Sequence, residues 1–205
     1  MAEEQPQAKD DPAVARKRPK PGERRIQILQ ALAAMLEQPG GERVTTAALA
    51  GKLGVSEAAL YRHFASKAQM FEGLIEFIEN SVFSLLNQIA QEPLDAPDKL
   101  RRMLTVLLQF AERNPGMARV MVGDALVFEN DRLHQRMSLF FDKVEANFRQ
   151  VVRDVPGTTP TPTVDAQALA SVAMAFTIGR LHRFARSGYK RSPLEHLDAS
   201  LRWLL

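Results

Sequence analysis

Three side chains able to read a nucleic acid stand side by side in this sequence: Tyr61, Arg62 and His63, within the run Leu60-Tyr61-Arg62-His63-Phe64. A guanidinium can give two parallel hydrogen bonds to the major-groove edge of guanine. An imidazole is a weaker reader of the same edge, and a phenol hydroxyl suits a phosphate oxygen better. Thr45, Thr46 and Lys67 offer further groups for the phosphate backbone, two hydroxyls and an ammonium. Ser56, Ala58 and Ala59 fall on the same stretch, where a small side chain lets the helix approach and an alanine methyl can touch a thymine methyl. Glu57 has two uses: it can accept from a cytosine amine or favour the N-terminus of its own helix. Catalysis finds no comparable set. His63, His134, His182 and His196 are scattered, cysteine is absent, and neither a phosphate-cradling glycine loop nor a serine elbow occurs. Asp124, Glu129 and Asp131 cluster as an acidic helix start would. The expectation is a binding protein, not an enzyme, with no cofactor and no metal.

Those side chains need a short helix that can enter a groove, and the flanking residues supply one. TTAALAGKL, then GVS, then EAALYRHF reads as helix, tight turn, second helix. Thr45 or Thr46 caps the first of the two. Gly54 supplies the turn, Ser56 caps the reading helix Glu57 to Phe64, and Ser66 with Gln69 forms a capping box for the next helix. Ala50, Val55 and Leu60 form the expected buried side, with Leu49 and Leu53 behind. Ser56, Glu57, Ala59, Tyr61, Arg62 and His63 face outward. A preceding helix from Glu23 carries Ile26, Leu29, Ala33 and Leu36 at helical spacing and stops at Pro39-Gly40-Gly41.

The remainder reads as helices throughout, without a strand or a repeat, so the fold class is all-α with about nine helices. Residues 1–21 read as a disordered basic arm, residues 22–67 as a three-helix helix-turn-helix head, and residues 68–205 as a helical body for dimerisation and partner binding. The fourth helix carries Phe71, Leu74, Ile75, Ile78, Val82, Leu85, Leu86 and Ile89 on one face, ended by Pro93 and Pro97. A fifth, from about Asp98 to Arg113, turns Leu100, Met103, Leu104, Leu107 and Phe110 inward. A short helix at Met117–Val122 and a long one at Asp131–Arg153 follow. VPGTTPTPT (155–163) is a loop. Beyond it Ala166, Ala170, Ala173, Ala175 and Gly179 form a small-residue face suited to close approach of a second chain, and a last helix spans about Leu194 to Leu205. Arg16 to Lys67 holds ten basic and four acidic residues, so this front is basic while the whole chain is only +3. That asymmetry points to an anionic partner at the front. No apolar run reaches the ~18 residues of a membrane span, and the first residues lack the apolar stretch of a signal peptide. The expected location is the cytoplasm.

Val44-Thr45-Thr46 followed by LAGKLGVSEAALYRHFASKAQMF resembles the N-terminal module of the TetR-type regulators: a threonine-started helix, L-A-x-x-x-G-V-S, L-Y-x-H-F, then a short cap and lysine. Within that family the similarity continues through SEAALYRHF, FAERNPGMARVM and RFARSGYKRSP, and is to the nucleoid occlusion factors. The resemblance implies a homodimer joined through the last two long helices, binding to palindromic sites in double-stranded DNA, association with the nucleoid, and engagement of the division protein FtsZ with disruption of its polymers. No small-molecule ligand is expected as control. It assigns DNA contact to Thr45, Thr46, Ser56, Ala58, Ala59, Tyr61, Arg62, His63 and Lys67. It assigns an FtsZ groove between the fourth and fifth helices to Phe77, Arg113 and Asn114. Phe77 lies about 100° round the helix from Ile78, and Arg113-Asn114-Pro115 also serves as a helix stop. The basic arm and the VPGTTPTPT loop depart from the pattern and take no role from it. The alternative is a ligand-responsive transcriptional repressor, which needs a ligand-sized pocket in the body.

Overall fold

A computed structural model describes residues 22–38, 43–153 and 162–205. The arm 1–21, the Pro39-Gly40-Gly41 stop and most of the VPGTTPTPT loop lie outside the described residues. Those described form nine α-helices and one 3₁₀ turn, with no strand: α1 (Glu23–Leu36), α2 (Thr46–Leu53), α3 (Glu57–Tyr61), α4 (Lys67–Ala90), α5 (Ala96–Arg113), α6 (Pro115–Met121), the 3₁₀ turn Asp124–Leu126, α7 (Asp131–Arg153), α8 (Pro162–Arg186) and α9 (Leu197–Leu204).

Helices α1 to α3 make the head. The buried stripe of α1 is Ile28, Leu32 and Leu36; of the expected Ile26, Leu29, Ala33 and Leu36, Leu36 is buried, Leu29 and Ala33 are half-buried and Ile26 is exposed. The difference arises because α1 packs on two sides. Helix α1 packs against α2, α4 and α6: Leu29 lies against Gly73 of α4, Ala33 adjoins Gly116 of α6, and Ile26 stays exposed. Gly54 ends α2 in the left-handed region (φ 64°). Its N–H reaches the Gly51 carbonyl at 3.1 Å and the Val55 N–H reaches Ala50 at 3.0 Å, which satisfies two of the helix's last carbonyls.

α4 runs from the head into the body and joins them covalently. Met70, Phe71, Leu74, Ile75, Ile78, Val82, Leu86 and Ile89 are buried, whereas Leu85 is exposed. Pro97 does not end α4, as expected, but sits in the first turn of α5 behind the Asp95 cap, where its missing N–H leaves no bond unmade. The body packs α4, α5, α7 and α8 around Met103, Leu104, Leu107, Phe140, Val144, Phe148, Ala170, Ala173 and Leu181, all at or near zero exposure. Arg136 of α7 forks onto the Glu79 carboxylate of α4, Nε to Oε1 at 3.1 Å, and this hydrogen bond holds its pKa above the usual value.

Two boundaries and one helix face differ from expectation. α8 begins at Pro162, so Thr163 is helical and not loop. Proline fits there because the first helical position needs no N–H. α9 is confined to Leu197–Leu204. The small residues of α8 do not form one face: Ala166, Ala170 and Ala173 are buried within the protomer, and Ala175 and Gly179 are exposed. At ~100° per residue, Ala175 and Gly179 fall on the side opposite the other three.

Buried Arg180 then closes the end of the body. It donates from Nη1 to the carbonyls of Pro193 (3.0 Å) and Glu195 (2.7 Å) and from Nη2 to Ser200 Oγ (2.7 Å), and it stacks on Phe176. Burial lowers its pKa, and the nearby charge of Arg183 adds to the effect.

Candidate nucleic-acid interface and partner groove

The reading helix is shorter than the sequence suggests. α3 spans five residues and ends at Tyr61, with Arg62 as its C-cap. Two features stop it. Phe64 must swing inward to be buried, and the His63 N–H turns back to the Leu60 carbonyl three residues earlier at 2.9 Å, which tightens the last turn. Arg25 of α1 stacks over the Phe64 ring at 4.1 Å and donates to the His63 carbonyl at 3.0 Å, taking up an acceptor that a longer helix would have used. Arg25 is therefore a residue of the head that sequence reasoning missed. Nothing local links positions 25 and 63.

Leu60 and Phe64 anchor the segment, and Tyr61, Arg62 and His63 form an exposed edge between those anchors. Ser56 and Ala58 are exposed beside it. Ala59 is half-buried, so Ala58 is the alanine that presents its methyl outward. Ser56 Oγ accepts from the Ala59 N–H at 3.3 Å.

The cap of α2, open between two threonines in the sequence, is Thr45, whose Oγ1 accepts from the Ala48 N–H at 3.1 Å. Thr46 instead donates its hydroxyl to the Glu57 carboxylate at 2.5 Å, tying the start of α2 to the start of α3. Glu57 thereby cross-links the two helices. At α4, Ser66 accepts from the Gln69 N–H at 3.2 Å as a capping box requires, but Gln69 returns its carbonyl oxygen to Ala65 (2.8 Å) and not to Ser66 itself.

Lys67 has a different setting from the other candidates. Its side chain is 17% exposed, and its ammonium is bonded to the Glu129 carboxylate, which is 7% exposed. Arg43 approaches the same carboxylate at 3.8 Å and donates to the Phe128 carbonyl at 3.3 Å. Glu129 lies 62 residues from Lys67, and its grouping with Asp124 and Asp131 as a helix start does not describe it. Asp124 pairs with Arg119 at 2.8 Å, and Asp131 opens α7.

On the flank of the head, α1, α4 and α6 enclose an open groove of about 530 Å³ lined by Ile26, Leu29, Ala33, Leu74, Phe77, Asn114 and Met117 among others. Phe77 is 50% exposed and contacts the Phe110 ring at 6.0 Å. Asn114 Nδ2 donates to the Phe110 carbonyl at 2.7 Å, and Arg113 is exposed at the end of α5. The structure thus puts Phe77 and Asn114 in one groove with Arg113 beside it, and adds α1 of the head as a wall. Among the described residues no three His, Asp or Glu side chains are grouped to hold a metal, and no helix is long and apolar enough to cross a membrane.

Residues 28–74 match the family described as bacterial regulatory proteins, tetR family, and residues 95–205 match the tetracyclin repressor-like C-terminal domain of SlmA-like type. Solved structures with this fold include the MbdR regulator from Azoarcus sp. CIB (TM-score 0.71, 17% identity, 88% of this chain and 96% of that one). The regulator FadR from Bacillus subtilis in complex with stearoyl-CoA is another (TM-score 0.67, 14% identity, 87% and 96%). Sequence similarity is much closer to nucleoid occlusion factor SlmA: 49% identity to that of Idiomarina loihiensis over 86% of this chain and 90% of the relative, and 47% to that of Colwellia psychrerythraea over 89% and 92%. With the head at one end, the helical body behind it and this level of identity across both, the chain belongs to the SlmA family of TetR-type DNA-binding regulators.

Proposed function

We propose that this chain is a nucleoid occlusion factor: a homodimer that binds palindromic chromosomal sites through its two heads and, from there, engages FtsZ and disrupts its polymers. The observation that carries the reading is the exposed Tyr61-Arg62-His63 edge at the C-terminal end of a five-residue helix that is capped by Ser56, with fully buried Leu60 and Phe64 anchoring the segment. Arg62 and His63 serve as base readers, Ala58 as an apolar contact, and Tyr61, Ser56 and Thr45 as backbone contacts. Its work is binding, in the cytoplasm at the nucleoid.

The dimer face is supported by the outer side of α8. Val164, Val172, Ala175 and Gly179 lie exposed there, and a Cβ added to Gly179 meets nothing within 4 Å, so a second backbone has room to approach. Val172→Asp is expected to give a monomer in sedimentation at micromolar concentration while helical content is kept. A dimer of unchanged stability would remove α8 from the interface.

FtsZ engagement is assigned to the groove holding Phe77 and Asn114 and to Arg113 beside it. The test is co-sedimentation of FtsZ polymers with the protein, with and without genomic DNA fragments, followed by sequencing of the retained DNA. Phe77→Ala and Arg113→Ala are expected to abolish retention on FtsZ while leaving DNA binding within about twofold, as for surface changes remote from a contact. Retention equal to wild type would move the FtsZ site elsewhere. The ligand-responsive repressor is the second reading, since the groove has the size and apolar lining of a small-molecule site. A small apolar compound that releases DNA, with no retention on FtsZ, would favour it.

A further inference from the structure

The Lys67–Glu129–Arg43 cluster joins three parts of the chain that the fold brings together from a distance. Lys67 opens α4 at the edge of the head, Arg43 precedes the Thr45 cap of α2, and Glu129 sits on the body in the segment between the 3₁₀ turn and α7. A carboxylate that is 7% exposed and faces two cations is costly to bury unless its partners hold their places, and it is strongly directional once they do. A second polar tie lies nearby. The Leu36 carbonyl at the end of α1 accepts from Arg119 Nη1 at 3.2 Å and from the Tyr189 hydroxyl at 3.1 Å, both of the body. A cavity of about 170 Å³ lies between the two ties, lined by Leu36, Arg43, Arg119, Asp124 and Glu129 among others. The seam between head and body is therefore not a continuous apolar contact here. Charged and polar ties bridge it on either side of that cavity.

We propose that Glu129 is a positioning residue for DNA recognition: by gripping Lys67 and Arg43 it holds the head at one angle on the body, and so fixes the separation and tilt of the two α3 helices in a dimer. The inference rests on the two-headed reading proposed above. A dimer whose heads are rigidly set accepts one spacing of half-sites, because one inserted base pair turns the second half-site by about 35° and shifts it by about 3.4 Å. Heads that swivel accept several spacings. Glu129 itself touches no base. It acts through Lys67, and the Lys67 ammonium is committed to it in the free protein.

The experiment uses the full chain and the palindromic duplex recovered from genomic fragments, together with versions carrying one base pair inserted or deleted at the dyad. Wild type is expected to bind the native spacing tightly and the altered spacings much more weakly. Glu129→Gln keeps the shape and loses the charge. It is expected to bring the ratio of affinities for native and altered spacing toward one, and Glu129→Asp, which keeps the charge facing both cations, is expected to hold the ratio closer to wild type. If Glu129→Gln does not fold by circular dichroism, Arg43→Gln, a change at an exposed side chain, reads the same ratio with a smaller loss. An equal loss on all duplexes with the ratio kept would show a merely structural role and overturn the proposal, as would an unchanged ratio in both variants. Wild type that sediments as a monomer, or that ignores spacing, would overturn the two-headed reading and this inference together.

Discussion

Arg62→Ala is expected to leave a protein that still binds DNA but no longer chooses its site. Arg62 is the only strong guanine reader on the exposed edge of α3, and a lost bidentate base contact costs about 1–3 kcal/mol in discrimination. A palindrome meets two heads, so the loss is taken twice on the cognate duplex and not at all on a scrambled one. The folded state has little at stake: Arg62 is exposed, follows the last helical residue and supports no part of the core. Competition of cognate against scrambled duplex is the measurement. The expected result is cognate affinity falling toward the scrambled value, with an unchanged melting temperature and a nearly unchanged dependence on salt. Retained discrimination would transfer the reading role to His63 or to residues outside α3.

Gly116→Ala is expected to be strongly destabilising, through packing and not through chemistry. Gly116 lies in α6, where a Cβ would stand 2.4 Å from the backbone carbonyl oxygen of Ala33 and 3.3 Å from the Glu37 side chain. A flexible side-chain tip could move aside from such an approach, but a backbone carbonyl in the last turn of α1 cannot without shifting the helix. Overpacking of this kind costs about 1–3 kcal/mol or more, and here the strain falls on the contact that seats the head on the body. Thermal melting should show a drop of several degrees. DNA binding should weaken even at temperatures where the protein is folded, because α1 has been displaced. Gly73→Ala is the matched control. Its nearest neighbours are the methyl tips of Leu29 at 3.0 and 3.1 Å, which can rotate away. Equal stability of the two variants would mean that α6 slides easily along α1 and that this contact does not seat the head.

The head was legible in the sequence to a degree that the rest of the molecule was not. Caps and turns are local devices, and Thr45, Gly54 and Ser56 all act within a few residues of themselves. The apolar faces of α4, α5 and α7 were legible too, since a helix buried on one side must repeat its large residues every three or four positions. Reading was less secure where a helix packs on more than one side. The stripe of α1 was displaced for that reason, and the small residues of α8 divided between an inner and an outer face.

The polar contacts between elements could not be read at all. Arg25 meets His63 across 38 residues, Lys67 meets Glu129 across 62, and Arg119 meets Leu36 across 83. A charged side chain on a helix surface carries no periodic signal of its partner, so each of these residues looks like a solvated charge until the chain is folded.

The reading edge is thus a property of the sequence itself. Leu60-Tyr61-Arg62-His63-Phe64 sets two buried anchors around three exposed polar groups, and a capped turn of helix is enough to present them. Where that edge ends, how the α4 lysine is engaged and at what angle the head sits were decided only by tertiary structure. Burial of Phe64, the stacked Arg25 and the Glu129 carboxylate between Lys67 and Arg43 are long-range contacts, and their geometry exists only once α1, α4 and α7 have packed.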